Sequence, residues 1–475
     1  MKRRTKIVCT IGPATDSPEM IRRLMEAGMD VARLNFSHGT HEQHARVIES
    51  IREISSELDE PIAILQDLSG PKIRTGDTAS DSPVALTDGS TFILTGEEVP
   101  GDEHRVSTTY FSVLAEKLKP GDRVFLADGS IQLRVTGIGR TEIRCEVVSG
   151  GELRSRQGIN VPGVALGIPA VTEKDFADLE FGMEKGVDFV ALSFVQRASD
   201  LIPVKDAIKK RGMDILIIAK IEKHEALDNI EEIIDAADGI MIARGDMGIE
   251  IPLEQVPLMQ KMIINRAGIK GKPVITATQM LESMIENARP TRAEVTDVAN
   301  AIFDGTDAVM LSGETAIGKY PIQAVEMMDR IACRTEQELP YEEILRRRRA
   351  GVSHTIPDAI SHAACYTALD LDAKAIICCT RSGYTARMVT KYRPEQLIIA
   401  ATPSDATFRR LSLSWGVLPL KIRQVENTDD MIEKAKAAAK EAGMVTAGDT
   451  VVITAGVPVG TAIQGKTNII KADVI

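Results

Sequence analysis

Lys220 and Glu222 stand two apart in Ile218-Ala219-Lys220-Ile221-Glu222, so on one strand both side chains leave the same face. Burying a lysine beside a carboxylate is costly unless the two serve each other or a bound cation. Asp246 closes a second apolar run, in Ala243-Arg244-Gly245-Asp246. With Glu222 it makes a two-carboxylate site for a hard cation, and Mg²⁺ suits it, because that ion takes few protein oxygens and completes its octahedron with water and substrate. Arg33 adds a further positive charge in Arg33-Leu34-Asn35-Phe36-Ser37-His38, while Thr276-Ala277-Thr278-Gln279 and Ser312-Gly313-Glu314 supply hydroxyls and a carboxylate. Arg33 and Lys220 beside a metal suit a phosphorylated or dianionic substrate. The Lys220, Asp246, Thr278 and Glu314 motifs contain no cysteine or histidine, which argues against thiol chemistry and against a zinc hydrolase. The chemistry indicated is phosphoryl transfer or stabilisation of an enolate.

These residues need strands that end together. Short β-branched runs are predicted at 6–11, 31–36, 63–68, 188–194, 215–221, 239–243, 273–277 and 307–311, with helix signatures between them. Pro18 sits just inside one helix start and Gly28 just past its end, the expected asymmetry. Thr291 and Glu294 form a capping box. Eight strands with crossover helices predict a (β/α)₈ TIM barrel, whose reacting groups belong at the C-terminal strand ends. Between the third and fourth strands, Asp88-Gly89, Asp128-Gly129 and Gly150-Gly151 punctuate alternating runs, the pattern of a small inserted β domain, barrel-like and hinged as a lid. After the eighth strand, strands at 375–380, 396–401, 417–422, 450–455 and 468–474 alternate with helices, as in an open α/β sheet. The expected division is barrel 1–74, lid 75–163, barrel 164–336 and a C-terminal α/β regulatory domain 337–475.

The chain has 475 residues, 44% apolar and 26% charged, with 57 Lys plus Arg against 68 Asp plus Glu, a formal net charge of −11. At about 150 residues per domain this agrees with three domains. The acidic balance gives no general attraction for nucleic acid or anionic lipid. No apolar run approaches the ~18 residues of a membrane span, and the early Gly12-Pro13 leaves no room for a signal segment. Six cysteines without a Cys-x-x-Cys pair fit a reducing compartment, so a cytoplasmic location is expected.

Four motifs carry a resemblance. Val31-Ala32-Arg33-Leu34-Asn35-Phe36-Ser37-His38-Gly39, Ile218-Ala219-Lys220-Ile221-Glu222, Ala243-Arg244-Gly245-Asp246-Met247-Gly248 and Ala277-Thr278-Gln279-Met280-Leu281-Glu282-Ser283-Met284 resemble pyruvate kinases, and the likeness covers the whole chain in order. It implies conversion of phosphoenolpyruvate and ADP to pyruvate and ATP, the last step of glycolysis. By position, Glu222 and Asp246 would hold Mg²⁺ (Mn²⁺ is an alternative), and Lys220 and Arg33 would meet the phosphoryl group. The Gly245 and Asp246 amides with Thr278 would receive the carboxylate, and Thr278 would take part in protonating the enolate. Asn35, His38, Arg74 and Lys174 match positions near ADP, which would bring a second Mg²⁺. The resemblance also implies a homotetramer. The alternative enzyme is a Mg²⁺-dependent aldolase or lyase passing through a pyruvate enolate.

One departure bears on a monovalent cation. Many members of the family require K⁺ near the residues matching Asn35, Ser37 and Asp67, and these typically carry glutamate in Gly-Pro-x-Ile-Arg. Here the motif is Gly70-Pro71-Lys72-Ile73-Arg74, preceded by Leu68 where threonine is common. A lysine can supply the positive charge of K⁺ and leucine removes an oxygen ligand, so K⁺ is predicted not to be required. Thr380-Arg381-Ser382-Gly383-Tyr384-Thr385 matches a region where the family binds phosphorylated activators, so a sugar phosphate or AMP is the expected effector. Gly460-Thr461-Ala462-Ile463-Gln464-Gly465-Lys466-Thr467 has the letters of a P-loop, but the run from Asn468 reads as a strand where a P-loop needs a helix. His38, His41 and His44 recur at threes and Arg346–Arg349 form a basic run. Both are read as ordinary surface features.

Overall fold

The fold is described from a computed structural model, which covers residues 3–79, 82–349, 355–457 and 467–475. Eight strands form the barrel: β1 (Lys6–Ile11), β2 (Val31–Asn35), β3 (Ala63–Asp67), β4 (Phe189–Leu192), β5 (Leu216–Ile221), β6 (Gly239–Ala243), β7 (Val274–Ala277) and β8 (Ala308–Leu311). They pair in parallel in sequence order, and β1 closes the ring on β8 through Lys6 and Ala308. All eight predicted runs are present. Several are shorter by a residue or two, and Asp188 and Asp307, just before their strands, turn their carboxylates onto the neighbouring strand.

Strand side chains are buried on both faces. One set, including Val8, Leu65, Ile218, Met241 and Ile275, fills the barrel. The other packs under the helices with Ile51, Val204, Ile263 and Val325. Helix Pro18–Ala27 starts on Pro18 and stops at Gly28 with φ 115°, a conformation that suits glycine. The predicted capping box holds: Thr291 Oγ1 accepts from the Glu294 amide, and Glu294 Oε2 accepts from the Thr291 amide at 2.7 Å.

At the floor of the barrel a fourfold pattern appears. Asp30, Asp188, Asp238 and Asp307 each precede an even-numbered strand. Their carboxylates accept from the amides of Ile7, Ile64, Ile217 and Val274 on the odd-numbered strand before it, at 2.8 to 2.9 Å. Each such bond satisfies a donor that the barrel end would otherwise leave open.

The insertion has its own core, with Phe92, Leu94, Val124, Leu133 and Val147 inside. Its sheet has six strands, with Glu142–Ser149 between Ile131–Ile138 and Thr91–Thr95, and the pairing does not join its two ends. Gly151–Leu153 pairs separately with Val84–Leu86. The turn Ala127–Gly129 at the lid's tip packs on helix Arg244–Glu250 of the barrel.

The C-terminal sheet contains β9 (Ala375–Cys379), β10 (Leu397–Thr402), β11 (Val417–Lys421), β12 (Thr450–Ala455) and β13 (Ile469–Val474), in the order β11-β10-β9-β12-β13, with β13 antiparallel. It docks under the barrel floor: Leu413 joins the barrel's inner cluster, and the Lys6 ammonium donates to Val417 O at 2.9 Å. Residues 460–466 of the P-loop-like run lie outside the described residues. Thr467 is buried against the Thr385 hydroxyl, and the predicted strand follows it.

Candidate active site

The C-terminal ends of the strands gather the residues singled out from the sequence. Lys220 is the penultimate residue of β5, and its ammonium lies 2.9 Å from Glu222 Oε1 and 3.2 Å from Asp67 Oδ1, and donates to Ser193 Oγ at 2.7 Å. Arg33 on β2 donates to Asp67 Oδ2 at 2.7 Å and to Thr10 Oγ1 at 2.9 Å. Asp67 therefore holds both cations at once. Burial alone would raise its pKa, but Lys220 and Arg33 outweigh that and keep it below the usual carboxylate value. Burial pulls the Lys220 ammonium the other way, yet Asp67 and Glu222 keep its pKa above the ordinary value. Lys220 is thus a held cation and not a base.

Glu222 Oε2 accepts from the Phe194 amide at 2.8 Å, which fixes the carboxylate that points at the mouth. Asp246, in the first turn of helix Arg244–Glu250, has its carboxyl pushed up to about 6 by burial and then by Glu222. Two carboxylates thus face one place with less positive charge than they need. A divalent cation supplies that charge, so the donor set fits Mg²⁺. Among the described residues no group of three or more His, Cys, Asp or Glu forms a metal cluster, so water and substrate oxygens would complete the shell.

Beside them the backbone is bent. Thr278 and Gln279 are consecutive non-glycine residues with φ 68° and 55°, a conformation that L residues enter at a cost and that often marks a working site. Arg244 clamps this turn, donating to Thr278 O at 2.6 Å and to Asp297 Oδ1 at 2.8 Å. The Thr278 hydroxyl accepts from the Gly245 amide at 2.8 Å and donates to Ala277 O at 2.6 Å. Amide, hydroxyl and carboxylate converge where a small anion can be received at a helix start.

A cleft of ≈ 670 Å³ between barrel and lid is lined by His38, Lys72, Arg74, Asp128, Arg156 and further lid residues. Burial and the charges of Arg74, Lys72 and Arg33 lower the His38 pKa, so this cleft is a positively charged wall. Lys174 does not line this cleft; it donates to Phe36 O at 2.8 Å and pairs with Asp178 at 2.7 Å. Asn35 Oδ1 accepts from the Ser37 amide at 3.1 Å. Leu68 is buried and its carbonyl takes the Ser193 hydroxyl. His41 bonds to Asp178 and stacks on Phe181, and His44 stacks on Phe36, so the histidine series divides among ordinary contacts.

The effector candidates lie in the C-terminal domain, after β9 and away from the mouth. Arg381 and Ser382 are exposed, Gly383 has φ 79° before the short helix Tyr384–Thr390, and Thr380 is buried. In the basic run, Arg346 and Arg347 pair with Glu342 and Glu343 one turn back, while Arg348 turns toward the domain junction.

Sequence reasoning missed several supports. Ser193 and Thr10 hold the two cations, Phe194 orients Glu222, and Arg244 secures the Thr278 turn. Asp67, named from the sequence for a monovalent-cation region, also pairs with Arg33 and Lys220. Its place at the end of β3, one strand from Arg33, was the available signal.

A parallel barrel with held cations, paired carboxylates and an inserted β domain packed on helix Arg244–Glu250 defines a phosphotransferase of the (β/α)₈ class. The comparisons agree. The family model "Pyruvate kinase, barrel domain" matches residues 2–325, and "Pyruvate kinase, alpha/beta domain" matches 358–472. The chain is 51% identical to the pyruvate kinase of Geobacillus stearothermophilus over all of this chain and 81% of that one. It is 49% identical to that of Bacillus licheniformis, over all of this chain and 80% of that one. A solved pyruvate kinase of Cryptosporidium parvum superimposes with TM-score 0.93 at 39% identity, covering 99% of this chain and 96% of that one. The chain belongs to the pyruvate kinase family.

Proposed function

We propose that the barrel mouth transfers the phosphoryl group of phosphoenolpyruvate to ADP. The observation that carries this reading is the double clamp on Asp67: it presents Lys220 and Arg33, from two strands, to one place beside Glu222 and Asp246. The ester P–O bond breaks, a bond forms from phosphorus to the β-phosphate oxygen of ADP, and the electron pair left behind makes the enolate of pyruvate. Lys220 meets the charge spreading over the transferring oxygens, and Arg33 holds the same group from the other side. The amides of Gly245 and Asp246 with the Thr278 hydroxyl receive the carboxylate, and Thr278 stands where a proton enters the methylene carbon, through water. Held between Glu222 and Asp246, Mg²⁺ would neutralise the substrate's charge, and Mn²⁺ takes the same oxygens. Asn35, His38, Arg74 and Lys174 line the approach of ADP, whose phosphates bring the second metal. The lid tip on helix Arg244–Glu250 excludes water and so limits hydrolysis of the phosphoryl group. The test is stoichiometry: pyruvate and ATP should appear one to one and only with ADP. Pyruvate released without nucleotide would favour a lyase.

The mouth works without K⁺ on this reading. The oxygens of Asp67 are engaged, Asn35 Oδ1 takes the Ser37 amide, Leu68 offers no side-chain ligand, and Lys72 lines the adjoining cleft. Initial velocity in K⁺-free buffer with an inert organic cation should change little when K⁺ is added; tenfold activation would overturn the idea.

Residues 380–385 are proposed to take the phosphate of an activator, supported by the exposure of Arg381 and Ser382 beside a turn at Gly383. Activation curves with fructose bisphosphate, sugar monophosphates and AMP test it, and flat responses to all three would remove it. The working assembly is proposed to be a cytoplasmic homotetramer, which sedimentation would check.

A further inference from the structure

Two residues in left-handed backbone meet at the foot of the lid. Gly70 has φ 64°, and Phe194, two residues past β4, has φ 57°. A side-chain carbon on Gly70 would stand 2.8 Å from Cδ2 of the Phe194 ring and 3.1 Å from Cβ of Ser193. The ring can rest there because position 70 has no side chain. The Lys223 ammonium lies 6.0 Å from the ring centre.

Gly70 belongs to the mounting of the lid. Its amide donates to Asp175 Oδ1 at 3.0 Å, in the first turn of helix Glu173–Lys185, where the chain has returned from the lid. The outgoing and returning connections also bond to each other. The Ile159 amide donates to Ile73 O at 2.9 Å, and the Thr75 amide to Gln157 O at 2.8 Å. A shift of the lid is thus a shift of both connections, with Gly70 at their root. A gap of ≈ 40 Å³ beside the ring is lined by Pro71, Ile73, Ile159, Val161, Leu166 and Phe194. It has room for a few waters at most, so it is slack in a joint and not a ligand pocket.

On its other side Phe194 meets the mouth. Its amide donates to Glu222 Oε2 at 2.8 Å. Ser193, one residue earlier, accepts from the Lys220 ammonium at 2.7 Å and donates to Leu68 O at 2.8 Å. The direction of the Phe194 amide depends on the φ of that residue. A positive φ in an L residue persists only where its surroundings hold it, and here the ring seated on Gly70 supplies the hold.

We propose that Phe194 is a positioning residue that couples the lid to the divalent-cation site. Its ring follows the place of Gly70, and its amide turns the Glu222 carboxylate accordingly. A lid brought down sets Glu222 for the cation, and by linkage a bound cation holds the lid down. The inference rests on the reading of Glu222 as a metal ligand, and Phe194 acts through that carboxylate and not on the reacting atoms.

Two measurements on the full-length protein test it. Mn²⁺ binding, read by electron paramagnetic resonance of the free ion, reports the positioning. Hydrogen exchange by mass spectrometry at 70–76 and 156–162, without and with saturating Mg²⁺, reports the coupling. Phe194→Ala should weaken Mn²⁺ binding by roughly tenfold or more, the scale for a group that orients a metal ligand, while Phe194→Tyr keeps the ring and should stay within about threefold of the parent. Gly70→Ala presses on the ring from the other side and should also weaken binding, so it answers the question should Phe194→Ala fail to fold. Mg²⁺ should slow exchange in both connections of the parent and leave it unchanged in Phe194→Ala. Glu222→Gln separates the two readings. If it leaves Mn²⁺ binding unchanged, the metal assignment fails and the coupling falls with it. If it weakens binding while Phe194→Ala and Gly70→Ala bind Mn²⁺ as the parent does, or show the parent's slowing with Mg²⁺, the coupling alone is overturned.

Discussion

The two ends of the barrel use the same residue types to opposite effect. At the floor, Asp188 caps the Ile64 amide and pairs with Arg52 at 2.8 Å and, from the C-terminal domain, Arg409 at 2.9 Å. Both Asp188 oxygens there meet a protein cation, and one also takes a backbone amide. At the mouth, Lys220 is shared between Asp67 and Glu222, Asp246 is pushed up to about 6, and two residues sit in left-handed backbone. The floor aspartates are satisfied by the chain itself, whereas the mouth is arranged for charges that arrive with substrate. In barrels of this kind the C-terminal ends of strands carry chemistry and the N-terminal ends carry stability. The difference lies in where a residue falls on its strand and not in what the residue is.

The comparison can be broken at either end. Removing the Asp188 charge with Asp188→Asn strands Arg52 and Arg409, and breaking a buried pair in this way costs roughly 3–5 kcal/mol. Urea denaturation should show that loss while kcat of the folded enzyme changes less than about threefold. A large fall in kcat with unchanged stability would erase the distinction between the two ends. At the mouth the reverse is expected. Thr278→Val keeps the size of the side chain but removes the hydroxyl, so kcat should fall by about 10²-fold, the scale of one acid–base group. The KM for phosphoenolpyruvate should move much less, and steady-state kinetics separates the two.

The fold was legible because its signals are periodic and local. Eight apolar runs with caps between them gave the barrel, and the turn dipeptides gave the lid. Lys220, Glu222, Asp246, Arg33 and Thr278 were legible because each lies near or just past the C-terminal end of a strand and has a polar type that is expensive to bury. What could not be read is the pairing across strands. Ser193, Thr10 and Phe194 look ordinary in sequence, and they matter only because barrel closure brings β1 beside β2 and β4 beside β5. The floor aspartates went unremarked for the same reason. Asp30, Asp188, Asp238 and Asp307 lie scattered along the chain, and their common role appears only once the even strands stand next to the odd ones. Arg348 was read with its neighbours as a solvated run, because nothing in four consecutive arginines tells which of them turns inward.

Two smaller effects sharpen the contrast. Lys72→Glu reverses a charge in the cleft beside the mouth, and the variant should become K⁺-dependent, with activation of tenfold or more in the initial-rate assay where the parent shows little. His44 tests the fringe of the mouth. Its burial against Phe36 lowers its pKa below the ordinary 6.5, so the folded state holds fewer protons here than the unfolded chain. That contribution to stability is complete above pH 6.5 and is lost as pH falls below it. His44→Phe should flatten this acid-side decline by less than about 1 kcal/mol, read as the difference in urea midpoints between pH 7.5 and 5.5.

The central claim is that Lys220 serves the arriving phosphoryl group while the floor serves the fold. Lys220→Met, assayed for ADP-dependent pyruvate release from phosphoenolpyruvate and melted in parallel, tests it most directly. Pyruvate release should fall by about 10³-fold or more, because a preorganised cation is removed from the developing charge, with the protein still folded and melting cooperatively. Turnover within tenfold of the parent in a folded Lys220→Met protein would contradict the assignment.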